Sequence, residues 1–237
     1  MEIIKTKLLP PRLKPGMVVR EICANPSEPI RNKKAVLITA PAGYGKTTIM
    51  LQLLHQYKQP FVWYQLDTYD NDPAVFLQYI TAGFQQYLPQ FGKEAVTIIN
   101  QGDFPNNLRL VLGVFINSLV QSKEKFILVL DDYQVISEPV IHRFIQEFLE
   151  RLPENTQLFI ASRTTLPLSL SRLTAVGEIS IIDSNELRFN RDEIKEYLAS
   201  CRQDPDDSLI DYIESNTNGW PVALGLTKAF MVVSQTN

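Results

Sequence analysis

Apolar positions along the chain follow two different rhythms. Short runs rich in β-branched and aromatic residues, Ala35 to Thr39, Phe61 to Asp67, Phe126 to Asp131, Gln157 to Ser162 and Glu178 to Ile182, read as strands. Between them, Lys46 to Tyr57, Pro73 to Leu88, Asn106 to Gln121 and Ser137 to Leu152 carry a helical period. In the last of these, Val140, Ile141, Phe144, Ile145, Phe148, Leu149 and Leu152 make one apolar stripe, which belongs to a core. Strands alternating with helices predict an α/β fold, a parallel sheet sandwiched by helices.

After Ile182 the rhythm changes. Arg191 to Cys201, Asp206 to Glu214 and Trp220 to Val233 read as helices, separated by Gln203-Asp204-Pro205 and Asn216-Thr217-Asn218-Gly219. The expected organisation is an N-terminal segment over 1–30, a sheet domain over 31–184 and a small helical subdomain over 185–237. The chain stops directly after a helix, which suggests a piece of something longer.

Composition narrows the class. With 237 residues, 45% hydrophobic and 21% charged, the sequence is that of an ordinary globular protein and excludes disordered or collagen-like classes. Lys and Arg number 23 against 26 Asp and Glu, so there is no footprint of a polyanion-wrapping surface, and direct nucleic-acid binding by this chain is not expected. Met1 to Gly16 mixes Lys5, Lys7, Arg12 and Lys14 with three prolines and lacks an apolar signal core. No apolar run approaches the roughly 20 residues of a membrane span. Cys23 and Cys201 are too few and too far apart for a disulfide framework. These features predict a cytoplasmic protein with free thiols and no membrane partner.

The chemistry starts at Ala40-Pro41-Ala42-Gly43-Tyr44-Gly45-Lys46-Thr47-Thr48, after a strand and before a helix, the context a P-loop requires. Phosphates need a concave set of backbone N–H donors, which Ala42, Gly43, Tyr44 and Gly45 supply beside a helix N-terminus. Lys46 would reach the β- and γ-phosphates, Thr47 would give its hydroxyl to Mg²⁺, and Thr48 would serve the α-phosphate. Ala40 stands where the usual pattern has its first glycine.

A second signal is Phe126-Ile127-Leu128-Val129-Leu130-Asp131-Asp132, a buried strand that delivers two carboxylates to its carboxyl edge. Asp131 is the expected Mg²⁺ partner, and Asp132 the group that orients or deprotonates an attacking water. Arg163, after Leu158-Phe159-Ile160-Ala161-Ser162, ends a strand expected between those carrying Lys46 and Asp131, facing the γ-phosphate. Arg31, Lys33 and Lys34 read as a solvated basic face. His55 and His142 lie in unrelated helices, Trp63 reads as core, and Asp67, Asp70 and Asp72 read as capping residues before the helix at Pro73.

Together with Thr6-Lys7-Leu8, Val18-Val19-Arg20, Asn71-Asp72-Pro73, Leu187-Arg188-Phe189 and Gly219-Trp220-Pro221, these motifs give a chain that resembles the nucleotide-binding domain of STAND ATPases, in the branch of large ATP-binding LuxR-type and maltose-activator-like transcription regulators. The resemblance implies an ASCE/AAA-like P-loop NTPase followed by a helical lid. It implies Val18 and Arg20 along the adenine, Pro221 closing over the base, and Arg163 as a sensor arginine. It further implies an ATP/ADP switch with slow Mg²⁺-dependent hydrolysis, self-association in the ATP state through the full-length protein, and sensor and DNA-binding domains that lie outside these residues. A P-loop small-molecule kinase and a non-hydrolysing module that retains ADP are the alternatives.

Overall fold

Five runs become strands: β1 (Ala35–Thr39), β2 (Phe61–Gln65), β3 (Phe126–Asp131), β4 (Thr156–Ser162) and β5 (Ile179–Ile182). They form one parallel sheet in the order β2-β3-β4-β1-β5 in a computed structural model, which describes residues 2–14, 17–24, 28–100, 104–200 and 206–234. Central strands covered on both faces need continuous apolar runs and not alternation, which is why every residue of β3 and β4 is buried. The period of two then sorts the side chains. Ala35 and Leu37 face one core, and Val36 and Ile38 face the other.

Ahead of the sheet lie two short turns, α1 (Glu21–Ala24) and α2 (Glu28–Arg31). The covering helices are α3 (Lys46–Tyr57), α4 (Pro73–Gln85), α5 (Lys93–Asn100), α6 (Phe104–Val120), α7 (Pro139–Arg151) and α8 (Ser171–Ala175). Helices α4 to α7 bury Phe76, Phe84, Ala95, Phe115, Phe144 and Phe148 on one face of the sheet. On the other, α3 buries Ile49, Met50 and Leu53 against Ile127, Val129 and Phe159, with Trp63 in the same core. Asp72 caps α4 through the backbone N–H groups of Ala74 and Val75, and Asp67 with Asp70 closes a capping box on the turn before it.

Burial pushes the Cys23 thiol up to about 12, and the residue is a free cysteine. Cys201 and the break Gln203-Asp204-Pro205 lie outside the described residues. The basic face is tied down. Lys34 pairs with Glu178 at 3.1 Å, Lys33 donates to the Gly177 carbonyl at 2.5 Å, and the Arg31 guanidinium sits 5.6 Å from the Tyr57 ring centre.

The C-terminal helices α9 (Arg191–Ala199), α10 (Asp207–Thr217) and α11 (Pro221–Ser234) bury Ile194, Leu198, Ile210, Ile213 and Leu224 in a core of their own. Asn218 ends α10 in the left-handed conformation, and Gly219 follows at φ 68°. A Cβ on Gly219 would stand 2.4 Å from the Phe189 carbonyl oxygen, so only glycine lets these two backbones meet.

Candidate functional site

The sheet register brings the chemistry to one edge. Thr39 lies opposite Ser162, Gln65 opposite Asp131 and Leu130 opposite Ile160, so β1 to β4 end together and their following loops share a rim. Because β4 separates β1 from β3, Arg163 emerges between the loop of Lys46 and the carboxylates of Asp131 and Asp132.

From β1 the chain passes through Ala40, whose N–H donates to the Ser162 carbonyl at 3.2 Å, into the turn of Ala42, Gly43, Tyr44 and Gly45. Gly43 and Gly45 take φ values of 81° and 77°, and Gly45 is the N-cap of α3. A Cβ on Gly43 would also come within 2.9 Å of the Val222 Cβ, because the N-terminus of α11 packs on this turn. The Val222 N–H donates to the Gly43 carbonyl at 3.2 Å, and the rings of Tyr44 and Trp220 lie 6.2 Å apart.

Lys46 is buried, and its ammonium donates to the carbonyls of Ala40 at 2.8 Å and Pro41 at 3.0 Å, curled over its own loop. Burial lowers its pKa, the Arg163 guanidinium lowers it further, and Asp132 and Asp131 oppose both. The Thr47 hydroxyl donates to Asp131 Oδ2 at 2.8 Å. Asp131 is 1% exposed, and burial pushes its carboxyl up to about 6 despite that bond.

Asp132 sits in the left-handed region at φ 60°. Gln65 donates to its Oδ2 and Gln134 to its Oδ1, each at 2.7 Å, and Arg163 Nη2 approaches Oδ1 at 3.6 Å. The Arg163 N–H in turn donates to Gln134 Oε1 at 2.9 Å. The edge thus gathers Lys46, Thr47, Asp131, Asp132 and Arg163, and adds two glutamines that no motif announced.

Beside the turn opens a mostly apolar cleft of about 370 Å³. Val18, Arg20 and Pro221, drawn from distant parts of the sequence, all line it, together with Tyr44, Gly45 and Thr48. Phe189, from the Leu187-Arg188-Phe189 segment to which the sequence assigned no contact, and Tyr197, which no motif announced, line it as well. Arg20 borders the cleft, but its guanidinium is engaged by Glu193 and by the carbonyls of Leu187 and Arg188.

Chemically, the edge offers an ammonium, a guanidinium and the first turn of a twelve-residue helix to an anion. The Thr47 and Asp131 oxygens are the hard donors that Mg²⁺ prefers. Among the described residues no group of three or more His, Cys, Asp or Glu side chains could hold a metal ion, so a cation here would draw further oxygens from a ligand or from water.

A strand, a glycine-bearing turn, a Lys-Thr helix start and a neighbouring acid-tipped strand define a P-loop domain. Residues 30–172 match the family described as AAA domain, and the chain belongs to that family. It is a P-loop ATPase domain related to a transcription regulator. The HTH-type transcriptional regulator MalT from two strains of Klebsiella pneumoniae is 32% identical over 228 residues, covering 94% of this chain and 25% of the relative. The chain therefore spans about a quarter of the length of the curated relatives it matches. Cdc6p from Pyrobaculum aerophilum shares the fold, with a TM-score of 0.51 at 16% identity over 91% of this chain and 59% of that one. Among the described residues no helix is long and apolar enough to cross a membrane.

Proposed function

We propose that this chain is the nucleotide-binding switch domain of a signal-responsive, cytoplasmic transcription regulator, binding ATP or ADP with Mg²⁺ and hydrolysing ATP slowly. One observation carries the reading: Lys46, the Thr47–Asp131 pair, Asp132 and Arg163 converge on a single sheet edge next to an apolar cleft. That donor set fits a Mg²⁺ polyphosphate, and the cleft fits a base attached to it.

In this reading Lys46 leaves its two loop carbonyls to neutralise the β- and γ-phosphates. Gly43 to Thr48 offer backbone N–H groups, and Thr47 and Asp131 hold Mg²⁺, which supplies charge neutralisation along the phosphates. Asp132 orients water, and Arg163 faces the terminal phosphate from β4. Both oxygens of Asp132 already accept glutamine amides, which leaves the carboxylate less free to hold an attacking water and suits a slow timer more than a metabolic catalyst. The same feature favours, as a second reading, a module that retains ADP without turnover.

Residues 1–30 would form the nucleotide-contacting segment, 31–184 the P-loop domain and 185–237 a lid. Val18 and Pro221 would cover the base. Sensor and DNA-binding domains of a longer parent chain would read the state of the switch, and self-association would follow ATP binding through that parent. The test is direct. Protein purified without added nucleotide is denatured and the supernatant chromatographed, and the refolded or exchanged protein is titrated with ADP and ATP in a calorimeter. Adenine nucleotide in the supernatant or saturable heat supports the reading, and absence of both sinks it.

A further inference from the structure

The segment that lines the cleft is gripped from two sides. Gln52 of α3, itself 7% exposed, donates from Nε2 to the Val18 carbonyl at 2.9 Å and accepts the Arg20 N–H on Oε1 at 3.1 Å. One buried amide thereby fixes the backbone of Val18 and Arg20 to the helix that begins at Lys46. From the same residue, the Arg20 side chain runs to the C-terminal helices. Its Nε donates to Glu193 Oε1 at 2.9 Å, Nη1 to the Leu187 carbonyl at 2.8 Å and Nη2 to the Arg188 carbonyl at 2.5 Å. The guanidinium carbon stands 4.4 Å from the centre of the Phe189 ring, which is itself part of the cleft wall.

Glu193 is shared in turn. Its Oε1 also accepts the Glu21 N–H at 2.9 Å, and its Oε2 accepts the Asn190 N–H at 3.0 Å, closing the capping box that starts α9. Arg20 and Glu193 are 4% and 6% exposed. Swinging the guanidinium into the cleft would leave a buried carboxylate, the buried Leu187 carbonyl and the part-buried Arg188 carbonyl without their donor, a loss that a hydrogen bond to a neutral ring does not offset.

We infer that Arg20 is a positioning residue that couples occupancy of the cleft to the orientation of α9, and not a ligand of the base. This rests on the nucleotide reading of the site. A ring entering the cleft presses on Val18 and Phe189, and those walls are linked through Gln52, Arg20 and Glu193 to the start of the lid. A buried ion pair contributes little net stability but fixes one arrangement of its partners, which is what such a coupling requires. Inorganic tripolyphosphate engages the P-loop without filling the cleft, so it separates the two parts of the site.

The experiment compares wild type, Arg20→Met and Glu193→Gln by calorimetry with ADP, GDP and tripolyphosphate, and follows hydrogen exchange of α9 at saturating ADP. Arg20→Met is expected to weaken ADP by about tenfold or more while tripolyphosphate stays within about threefold and the ADP-to-GDP ratio is kept. Glu193→Gln keeps one acceptor oxygen for the Arg20 and Glu21 N–H groups but removes the charge and turns the other oxygen, which accepts the Asn190 N–H, into a donor, so it is expected to show the same selective loss of ADP as Arg20→Met. ADP slows exchange in α9 of the wild type and leaves it unchanged in Arg20→Met. Should Arg20→Met fail to fold, Arg20→Lys keeps the charge but not the planar fork and shows the same selective loss to a smaller degree. Equal loss for ADP and tripolyphosphate, a collapsed ADP-to-GDP ratio, or persistent slowing of α9 in the variant would overturn the inference. Wild-type protein that binds neither ADP nor tripolyphosphate would overturn the nucleotide reading itself.

Discussion

Thr47 and Asp131 are 84 positions apart in sequence, yet the hydroxyl of one donates to the carboxylate of the other at 2.8 Å. The bond joins the start of α3 to the tip of β3 across the strand between them, so it reports that β1, β4 and β3 end in register. It also leaves Asp131 a buried carboxylate served by a hydroxyl and one backbone N–H.

That burial has a sign. The folded-state pKa of Asp131 is raised from 3.8 to about 6, so its favourable contribution is complete below about 3.8 and is lost as pH rises through about 6. Asp131→Asn carries no charge at any pH. At pH 7 and without nucleotide it is expected to be more stable than wild type by on the order of 2 kcal/mol, with the gain vanishing toward pH 4. Denaturant titrations at the two pH values check this, and an equal effect at both would contradict it. The same variant should lose the Mg²⁺ dependence of nucleotide binding.

Lys46→Ala removes the ammonium that the loop carbonyls hold in place. In wild type, nucleotide at 100 times its Kd should stabilise the domain by about 2.7 kcal/mol, or about 5–11 °C in midpoint for a chain of this size. The variant should show no such shift at the same concentration while its midpoint without nucleotide changes little. Thermal scans with and without ADP decide the matter, and a preserved shift would remove Lys46 from phosphate binding.

How far the sequence foretold this arrangement depends on what kind of signal each residue carries. β1, β3 and α3 have the bounds expected from their apolar runs and from the Lys-Thr start, since these elements are deeply buried and sharply ended. β2 stops at Gln65 although the apolar run continues to Leu66, because Asp67 turns the backbone into a capping box. Helices α5 and α8, of eight and five residues, are too short to show a period, and neither is among the helices expected from the sequence. The site separates along the same line. Lys46, Asp131 and Arg163 stand at strand and helix ends where spacing places them, whereas Gln52, Gln65, Gln134 and Glu193 act through partners chosen by tertiary packing. Arg20 and Glu193 lie 173 positions apart, and no local pattern encodes their meeting.

Gly219→Ala tests how the C-terminal helices are seated beside the sheet. The new Cβ would meet the Phe189 carbonyl oxygen at 2.4 Å in a backbone conformation with φ 68°, where neither the loop of Phe189 nor the end of α10 can yield cheaply. A loss of about 2 kcal/mol or more is expected, together with weaker packing of Val222 and Trp220 on the P-loop. Stability and the emission of Trp220 measure the two effects, and a variant as stable as wild type would show that this close approach is relaxed in solution.

Lys7 anchors the N-terminal segment to the sheet. Its ammonium lies 2.6 Å from Asp70 Oδ1 and 2.5 Å from Oδ2, with the Tyr79 ring centre at 4.8 Å, and the Asp70 side chain is completely buried. Asp70 also accepts the Asp67 N–H at 2.7 Å, so the carboxylate stays in place when its cation is removed. Lys7→Met should therefore cost about 3–5 kcal/mol, the penalty of an abandoned buried charge more than of a lost contact. The double variant Lys7→Met with Asp70→Asn removes both charges and should recover much of that loss. If the single variant is as stable as wild type, or if the second substitution deepens the loss, the charge at Asp70 does not govern how the N-terminal segment is held against β2.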